Sequence, residues 1–186
     1  MSWENIVSSI TDGPTITAAS PTSCIPTADK ITLPNKFFYP GRRIKFAMSG
    51  RISSVITTPG TARYDIRMGA EGTTVVFDSL AILLDTVAAH TNVPWFLDVE
   101  LTCRVAGATT LTTFFPSKAL WTCEDILGVP ATAPKGVLSA ALPWNTAPAL
   151  GAGMDNTAAS ILDVFFTQTV ATGSMTVHSY SVDVEN

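Results

Sequence analysis

The chain has 186 residues, enough for one domain with a two-layer core; 46% of them are hydrophobic and only 14% are charged. Because a typical domain carries about 25% charged residues, we expect the surface to be covered partly by other chains, unless serine and threonine supply the missing polarity. The net charge of −4 and the lack of a basic run exclude a typical nucleic-acid-binding protein, so the densest basic spot, Arg42-Arg43, is interpreted as a solvated strand entrance.

Residues 1–30 are rich in serine, threonine, proline and alanine, and they are predicted to form an extended arm with few hydrogen bonds of its own. Trp3 and Ile6 are unusual in a solvated tail. Since buried aromatic side chains anchor interfaces, the arm either reaches a neighbouring subunit or folds back on its own domain. Neither a secretory signal nor an apolar run long enough to span a membrane is recognised, so no membrane partner is expected.

The next segment is predicted to form a β-hairpin. Residues 43–56 alternate between apolar and polar side chains, with a bulge or bend at Gly50, and residues 63–68 alternate in the same way. Residues 57–61, which contain a proline and a glycine, provide the turn between them. Two alternating runs joined by such a turn are typical of neighbouring antiparallel strands.

The clearest strand lies in the middle of the chain. From Trp95 to Val105 every second residue is apolar, whereas four of the five intervening residues are polar, as in a strand with one buried face. Residues 111–115 are predicted to begin its partner strand, and residues 120–123 to form one more short strand. Residues 79–89 fit a helical turn by their leucine spacing, but their surroundings favour a strand or an irregular connection.

Residues 128–158 contain many prolines, glycines and alanines, which predict a long loop without regular structure. Trp144 and Leu150 within it either pack on a neighbouring subunit or cover the end of their own domain. Two further strands follow, over residues 162–170 and 175–184. Frequent turn signals and the lack of a clear helix predict an all-β fold, an antiparallel β-sandwich, as an eight-stranded jelly roll over residues 31–186.

The chain offers weak candidates for chemistry, and no catalytic, cofactor-binding or metal-binding residue is assigned. Asp98 and Glu100 share one face of a strand about 7 Å apart, a spacing used by glycosidases, but an exposed sheet face requires such polar residues anyway. His178 is expected to be a hydrogen-bonded structural residue, and His90 to be solvated. A cation site is disfavoured; its candidate ligands are Asp155, Asn156 and Asp163.

The chain contains three cysteines, Cys24, Cys103 and Cys123, without a paired Cys-x-x-Cys motif. We expect free thiols, with Cys103 acting as a small hydrophobic residue on the buried face of its strand. A disulfide between Cys103 and Cys123 is the disfavoured alternative.

Several short motifs resemble a group of structural proteins of tailed bacteriophages. They are the sequences at residues 31–38, 41–44, 49–53, 57–61 and 101–104, and the similarity extends over about residues 30–186. The resemblance implies a virion component without enzymatic activity, made in the bacterial cytoplasm. It leaves open whether the protein decorates the capsid, forms a minor capsid part or belongs to the tail, and the capsid exterior is the preferred location. It also implies a homo-oligomer, a trimer, which binds the major capsid protein or other virion proteins as a decoration or cement protein.

Two other functions compete with this interpretation. A tail- or fibre-associated β-sandwich that binds carbohydrate or a tail protein would need an exposed aromatic platform, for which Trp95, Trp144 and Tyr180 are the candidates. A glycan hydrolase would use Asp98 and Glu100, and it ranks last. For the structural protein, the candidate contact residues are Trp3, Ile6, Phe37, Phe38, Trp144 and Leu150.

Overall fold

A computed structural model describes residues 2–127 and 137–185. Within these ranges the chain forms twelve β-strands and one short 3-10 turn, Thr27–Asp29, and no α-helix. The strands are β1 Trp3–Ser8, β2 Thr22–Ser23, β3 Ile31–Leu33, β4 Arg43–Ser54, β5 Thr61–Met68, β6 Thr74–Asp78, β7 Ile82–Leu83, β8 His90–Val105, β9 Thr113–Leu127, β10 Val137–Ala141, β11 Ser160–Gln168 and β12 Ser174–Glu185.

The strands form two antiparallel sheets that pack as a sandwich, which confirms the predicted fold class. The first sheet has the order β1-β12-β4-β8-β9-β10, and the second has the order β2-β11-β5-β6, with β3 paired to β11 and β7 to β5. The described strands number more than the eight expected, because connecting segments contribute short strands of their own. The jelly-roll topology stays a prediction.

The predicted hairpin of residues 43–68 is wrong, because its two strands lie in opposite sheets. β4 pairs with β8 and β12 of the first sheet, whereas β5 pairs with β11, β6 and β7 of the second sheet. The turn at residues 57–60 therefore carries the chain across the sandwich. Alternating runs and a proline-glycine turn are common to hairpins and to such crossings, and the pattern alone does not distinguish them.

The alternation of β8 is confirmed from Trp95 to Cys103, whereas Val105, predicted to lie on the same buried face, is 48% exposed. Its inward side chains from Trp95 to Cys103 are at most 1% exposed, whereas Phe96 points outward and is 58% exposed. The centre of the core is aromatic: the ring of Tyr64 lies 5.3 Å from Trp95, 5.2 Å from Trp121 and 5.2 Å from Phe166, measured between ring centres. Trp121 belongs to one continuous strand, β9, and not to the separate short strand that was predicted.

Gly50 lies where two strands approach closely. A Cβ atom at this position would lie 1.9 Å from the carbonyl oxygen of Thr176 in β12. The register of β12 against β4 shifts here between Val177 and Ser179, so that His178 is the additional, bulged residue. The bulge expected at Gly50 therefore lies in the strand opposite to it.

The N-terminal segment folds back along the sandwich of its own chain. β1 pairs with β12, Ile16 forms a bridge with Met175, and the amide of Cys24 donates to the carbonyl of Val164 at 2.9 Å. The segment thus crosses from the first sheet to the second along one side of the sandwich. The arm makes these backbone hydrogen bonds with the strands that it joins, so it completes an edge of each sheet and follows the alternative in which it folds back on its own domain.

The other side of the sandwich is closed by the segment that follows β10. The amide of Gly151 donates to Phe114 of the first sheet at 3.1 Å, and the amide of Ala152 donates to Val75 of the second sheet at 3.1 Å. β10 lies within residues 128–158, which were predicted to lack regular structure, so that prediction is wrong at residues 137–141. Residues 128–136 lie outside the described residues. Residues 79–89 form β7 and turns, as the preferred interpretation expected.

The three cysteines all lie among the described residues, are buried, and form no disulfide, in agreement with the preferred expectation. Burial raises the pKa of the Cys103 thiol to about 11. The Cys103 thiol is therefore held protonated in the core, where it packs as a small apolar side chain.

Candidate interaction surfaces

An apolar depression lies on the side of the sandwich where the segment after β10 crosses β6. This side cleft has a volume of about 300 Å³. Leu150 stands at its rim with 54% of its surface exposed. At the cleft, Gly151 packs directly against β6, where a Cβ atom would lie 1.9 Å from the carbonyl oxygen of Val76. Its apolar lining includes Val76, Phe77, Leu80, Pro116, Pro143 and Leu150.

The acidic residue at the edge of the side cleft is fixed by its neighbours. Arg63 donates two hydrogen bonds to the carboxylate of Asp78, at 2.7 and 2.5 Å, and the amide of Leu80 donates to the same carboxylate at 2.9 Å. The carboxylate is thereby neutralised and holds Leu80 in a left-handed conformation with φ of 59°. Leu80, 37% exposed, is positioned at the cleft by this contact.

A second surface combines arginine and aromatic side chains at one end of the first sheet. The guanidinium of Arg42 lies 3.9 Å from the ring centre of Phe37, and that of Arg43 lies 5.4 Å from the ring centre of Trp3. Arg43 also pairs with Glu100 at 2.8 Å and with Glu185, and its hydrogen bonds hold the pKa of Glu185 below its ordinary value. The basic spot is thus largely compensated by acidic neighbours.

The structure separates the predicted contact residues into exposed and packed groups. Phe38 is corrected: it is 3% exposed and packs edge-on against Phe114 with 4.7 Å between ring centres, so it belongs to the core. Ile6, Phe37 and Trp144 are half-buried and pack against that core. The two that remain largely exposed are Trp3, at 43%, and Leu150, at 54%.

The aromatic platform proposed for carbohydrate binding does not form from the expected residues. Trp95 is 0% exposed and Tyr180 is 2% exposed, because the alternation of β8 and the bulge in β12 turn both side chains inward. On β8 the exposed ring is that of Phe96, next to Trp95 in the chain. The alternation that places Trp95 in the core also places Phe96 outside, so the sequence pattern indicates the exposure of Phe96.

The two carboxylates considered for hydrolysis are engaged in ion pairs across strands. Asp98 accepts from Lys118 at 3.1 Å and lies 3.6 Å from Lys45, while Glu100 pairs with Arg43. Each carboxylate therefore has a cationic partner on a neighbouring strand, as the sheet-face interpretation of these residues expected.

The residues considered for a cation site serve separate local contacts. Asp155 accepts from the amide and hydroxyl of Thr157, which lowers the pKa of Asp155. Asn156 bonds the backbone of Phe38, and Asp163 pairs with Lys30. In residues 2–127 and 137–185, no group of three or more histidine, cysteine or acidic residues is arranged to hold a metal ion.

The two histidines both have carboxylate partners. His178 Nδ1 lies 3.0 Å from a carboxylate oxygen of Asp12, and both side chains are exposed, at 39% and 63%. His90 was expected to be solvated, but its side chain is 11% exposed and its Nε2 lies 2.9 Å from Asp85. The turn between β7 and β8 folds the two together, because the Asp85 carboxylate also accepts from the amides of Val87 and Ala88.

The contacts of Asp85 predict a pH-dependent contribution to stability. Burial raises the pKa of Asp85, but hydrogen bonds from His90, Val87 and Ala88 outweigh it and hold the pKa below its ordinary value of 3.8. The stabilisation is therefore present above that value and is lost as the pH falls through the lower folded-state pKa. Urea unfolding between about pH 5 and about pH 2 should show the advantage of the wild type over Asp85→Asn shrinking with acidity. A constant difference would contradict this assignment.

Among the described residues no helix has the length and apolar character needed to cross a membrane. Comparison of the chain with protein-family models, with curated proteins and with solved structures gave no match.

Proposed function

We propose that this chain is a non-enzymatic structural protein of a tailed-phage particle, which assembles as a homo-oligomer, a trimer, and decorates or cements the capsid exterior. The single observation that carries the proposal is the side cleft, with Leu150 54% exposed at its rim. An apolar depression of this kind on a surface with few charges is typical of a protein-protein contact site. The resemblance of the sequence to phage structural proteins supports the choice of particle.

The cleft is preformed, which favours binding. Its outer wall is tied to both sheets by the amides of Gly151 and Ala152, and its edge is fixed by the Arg63–Asp78 pair. The residues that line the cleft are already ordered in the folded chain. A partner side chain that enters the cleft therefore does not have to order them, and less of the binding free energy is lost to conformational entropy. The proposed occupant is an apolar segment of another virion protein, such as the major capsid protein.

Many copies on one lattice would strengthen such a contact. Apolar burial contributes about 25 cal/mol per Å², so a small cleft alone gives modest affinity. Copies joined in an oligomer bind the shell together, and the second contact forms at a high effective concentration. Paired surface ions such as Asp98 with Lys118 keep the remaining exterior soluble without presenting a strong field of one sign.

The test is the content of particles made by the phage that encodes the chain. Mass spectrometry should find the chain in purified particles, and a particle map should place it on the shell. Leu150→Asp should reduce its occupancy about tenfold or more, because a charge at the rim of the cleft must be desolvated on binding. Leu111→Asp is the matched control, because Leu111 is 59% exposed and lies outside the cleft lining. Particles that lack the chain contradict the proposal.

A further inference from the structure

The outer face of the first sheet has a regular pattern of side chains across four neighbouring strands. The register aligns outward residues of β12, β4, β8 and β9 in rows that run across the sheet. One row consists of Ser179, Ser49, Phe96 and Thr122, and another, further along the strands, consists of Asp183, Lys45, Glu100 and Lys118.

The first row combines a projecting ring with an adjacent depression. Phe96 is 58% exposed, and the neighbouring side chains on β4 and β12 are small, which leaves a depression of about 180 Å³ beside the ring. Ala47, Ser49, Ser179 and Ser181 line this depression together with Phe96. One copy of the face therefore presents both an aromatic projection and a recess next to it.

The second row alternates in charge. From β12 to β9 its residues are acidic, basic, acidic and basic: Asp183, Lys45, Glu100 and Lys118. When the same row is read in the opposite direction, every position carries the opposite charge. The row is therefore complementary to a reversed copy of itself, a property that a two-fold interface requires; within one copy Lys45 and Lys118 also contact Asp98, and Glu100 contacts Arg43.

We propose that this face binds the same face of a second copy about a two-fold axis that runs along the strands between β4 and β8. That axis places Asp183 of one copy opposite Lys118 of the other, and Lys45 opposite Glu100. It also places each Phe96 ring over the recess beside Ser49 of the other copy, with the two rings about 5 Å apart, a spacing that aromatic pairs favour. Between the two rows, the same axis brings the Asp98 carboxylates of the two copies near each other, and Lys45 and Lys118 of each copy offset their repulsion.

The size of the face sets the strength of the contact. Four strands over about eight residues give a footprint of about 500 Å² per copy, and therefore about 1,000 Å² for the pair, the lower limit for a specific interface. Packed sheets cross at about −30°, so the ends of a row in one copy are displaced by about 4 Å from the facing row in the other copy. Lysine side chains can span that distance. The dimer is consequently expected to be weak and concentration-dependent.

This inference rests on the proposed self-association and deepens it by naming one contact. A two-fold contact alone produces dimers, and a trimer would need a second, separate surface.

The test is sedimentation equilibrium of the full chain from about 1 to about 200 µM. The wild type should dimerise, and Phe96→Ser should weaken dimerisation about tenfold or more, since central aromatic residues dominate interfaces. Leu111→Asp, at an exposed leucine outside this face, should leave it unchanged. Self-association that Phe96→Ser does not alter overturns the two-fold contact and leaves the proposed function intact.

A charge exchange tests the direction of the contact. Asp183 and Lys118 lie on strands three positions apart in one copy, about 14 Å from each other, and meet only across the proposed axis. Asp183→Lys alone and Lys118→Asp alone should each weaken dimerisation, whereas the double variant should restore it. Failure of the double variant to recover overturns the arrangement.

Carbohydrate binding gives a distinct outcome. Isothermal titration with neutral mono- and oligosaccharides should detect no Phe96-dependent binding. A wild type that remains monomeric to about 200 µM and loses sugar binding on Phe96→Ser overturns the dimer and assigns the face to a glycan. A monomer found in phage particles overturns the dimer and the proposed homo-oligomer, and leaves the role as a virion protein intact.

Discussion

Trp95→Ala is expected to lower the free energy of unfolding by about 3–5 kcal/mol, the range for truncating a large buried aromatic residue. The indole is 0% exposed and its ring centre lies 5.3 Å from that of Tyr64 in the middle of the core. Its removal leaves a cavity between two sheets that are held by strand pairing and cannot collapse freely. Urea unfolding followed by fluorescence and circular dichroism measures the loss.

The control is the next residue in the same strand. Phe96→Ala removes a ring that is 58% exposed, and at low protein concentration it should change the free energy of unfolding by no more than about 0.5 kcal/mol. The two substitutions share strand propensity and local sequence, so their difference reports which face of β8 is buried. Comparable losses from both would contradict the orientation of this strand.

The contrast between Trp95 and Phe96 shows what a sequence pattern can establish. Alternation with a period of two is a local property, so β8 and its buried face could be predicted. The fold class followed from several such runs. Two further features could be predicted: the three cysteines are free thiols, and residues 79–89 form a short strand and turns. Both depend on composition and local turn residues.

Strand pairing could not be predicted in the same way. β4 and β5 follow each other in the chain but lie in opposite sheets, and β1 pairs with β12 at the far end of the chain. Partners of this kind are chosen by packing between distant segments, and a local pattern carries no information about them. The pairing of β10 with β9 arises likewise within a segment rich in proline and glycine.

The candidate surfaces depend on the same long-range pairing. Phe96 is marked as outward by its own strand, but the recess beside it exists because Ser49 and Ser179 are brought next to it by β4 and β12. The side cleft exists because Gly151 crosses β6 closely enough to leave no room for a Cβ atom. The sequence indicated that Leu150 could contact a partner, whereas the shape of the cleft required the tertiary structure.

Lys30→Met is expected to lower the free energy of unfolding by about 2–3 kcal/mol. Its ammonium lies 2.6 Å from the carboxylate of Asp163, whose side chain is 6% exposed. Ser23 donates to that carboxylate at 2.7 Å, but without Lys30 the charge is left largely buried and uncompensated. Removal of one partner of a buried pair costs about 3–5 kcal/mol, and the 27% exposure of Lys30 lets water recover part of it.

Two further variants separate the ion pair from the fold around it. Lys30→Met combined with Asp163→Leu should recover most of the loss, because replacing both charges by apolar groups removes the desolvation penalty. Lys118→Met is the surface control: its partner Asp98 is 38% exposed, and the change should cost at most about 1 kcal/mol. Thermal and urea unfolding measure all three variants. If Lys30→Met is no more destabilising than Lys118→Met, then Lys30 does not hold the N-terminal segment to β11 through a buried charge.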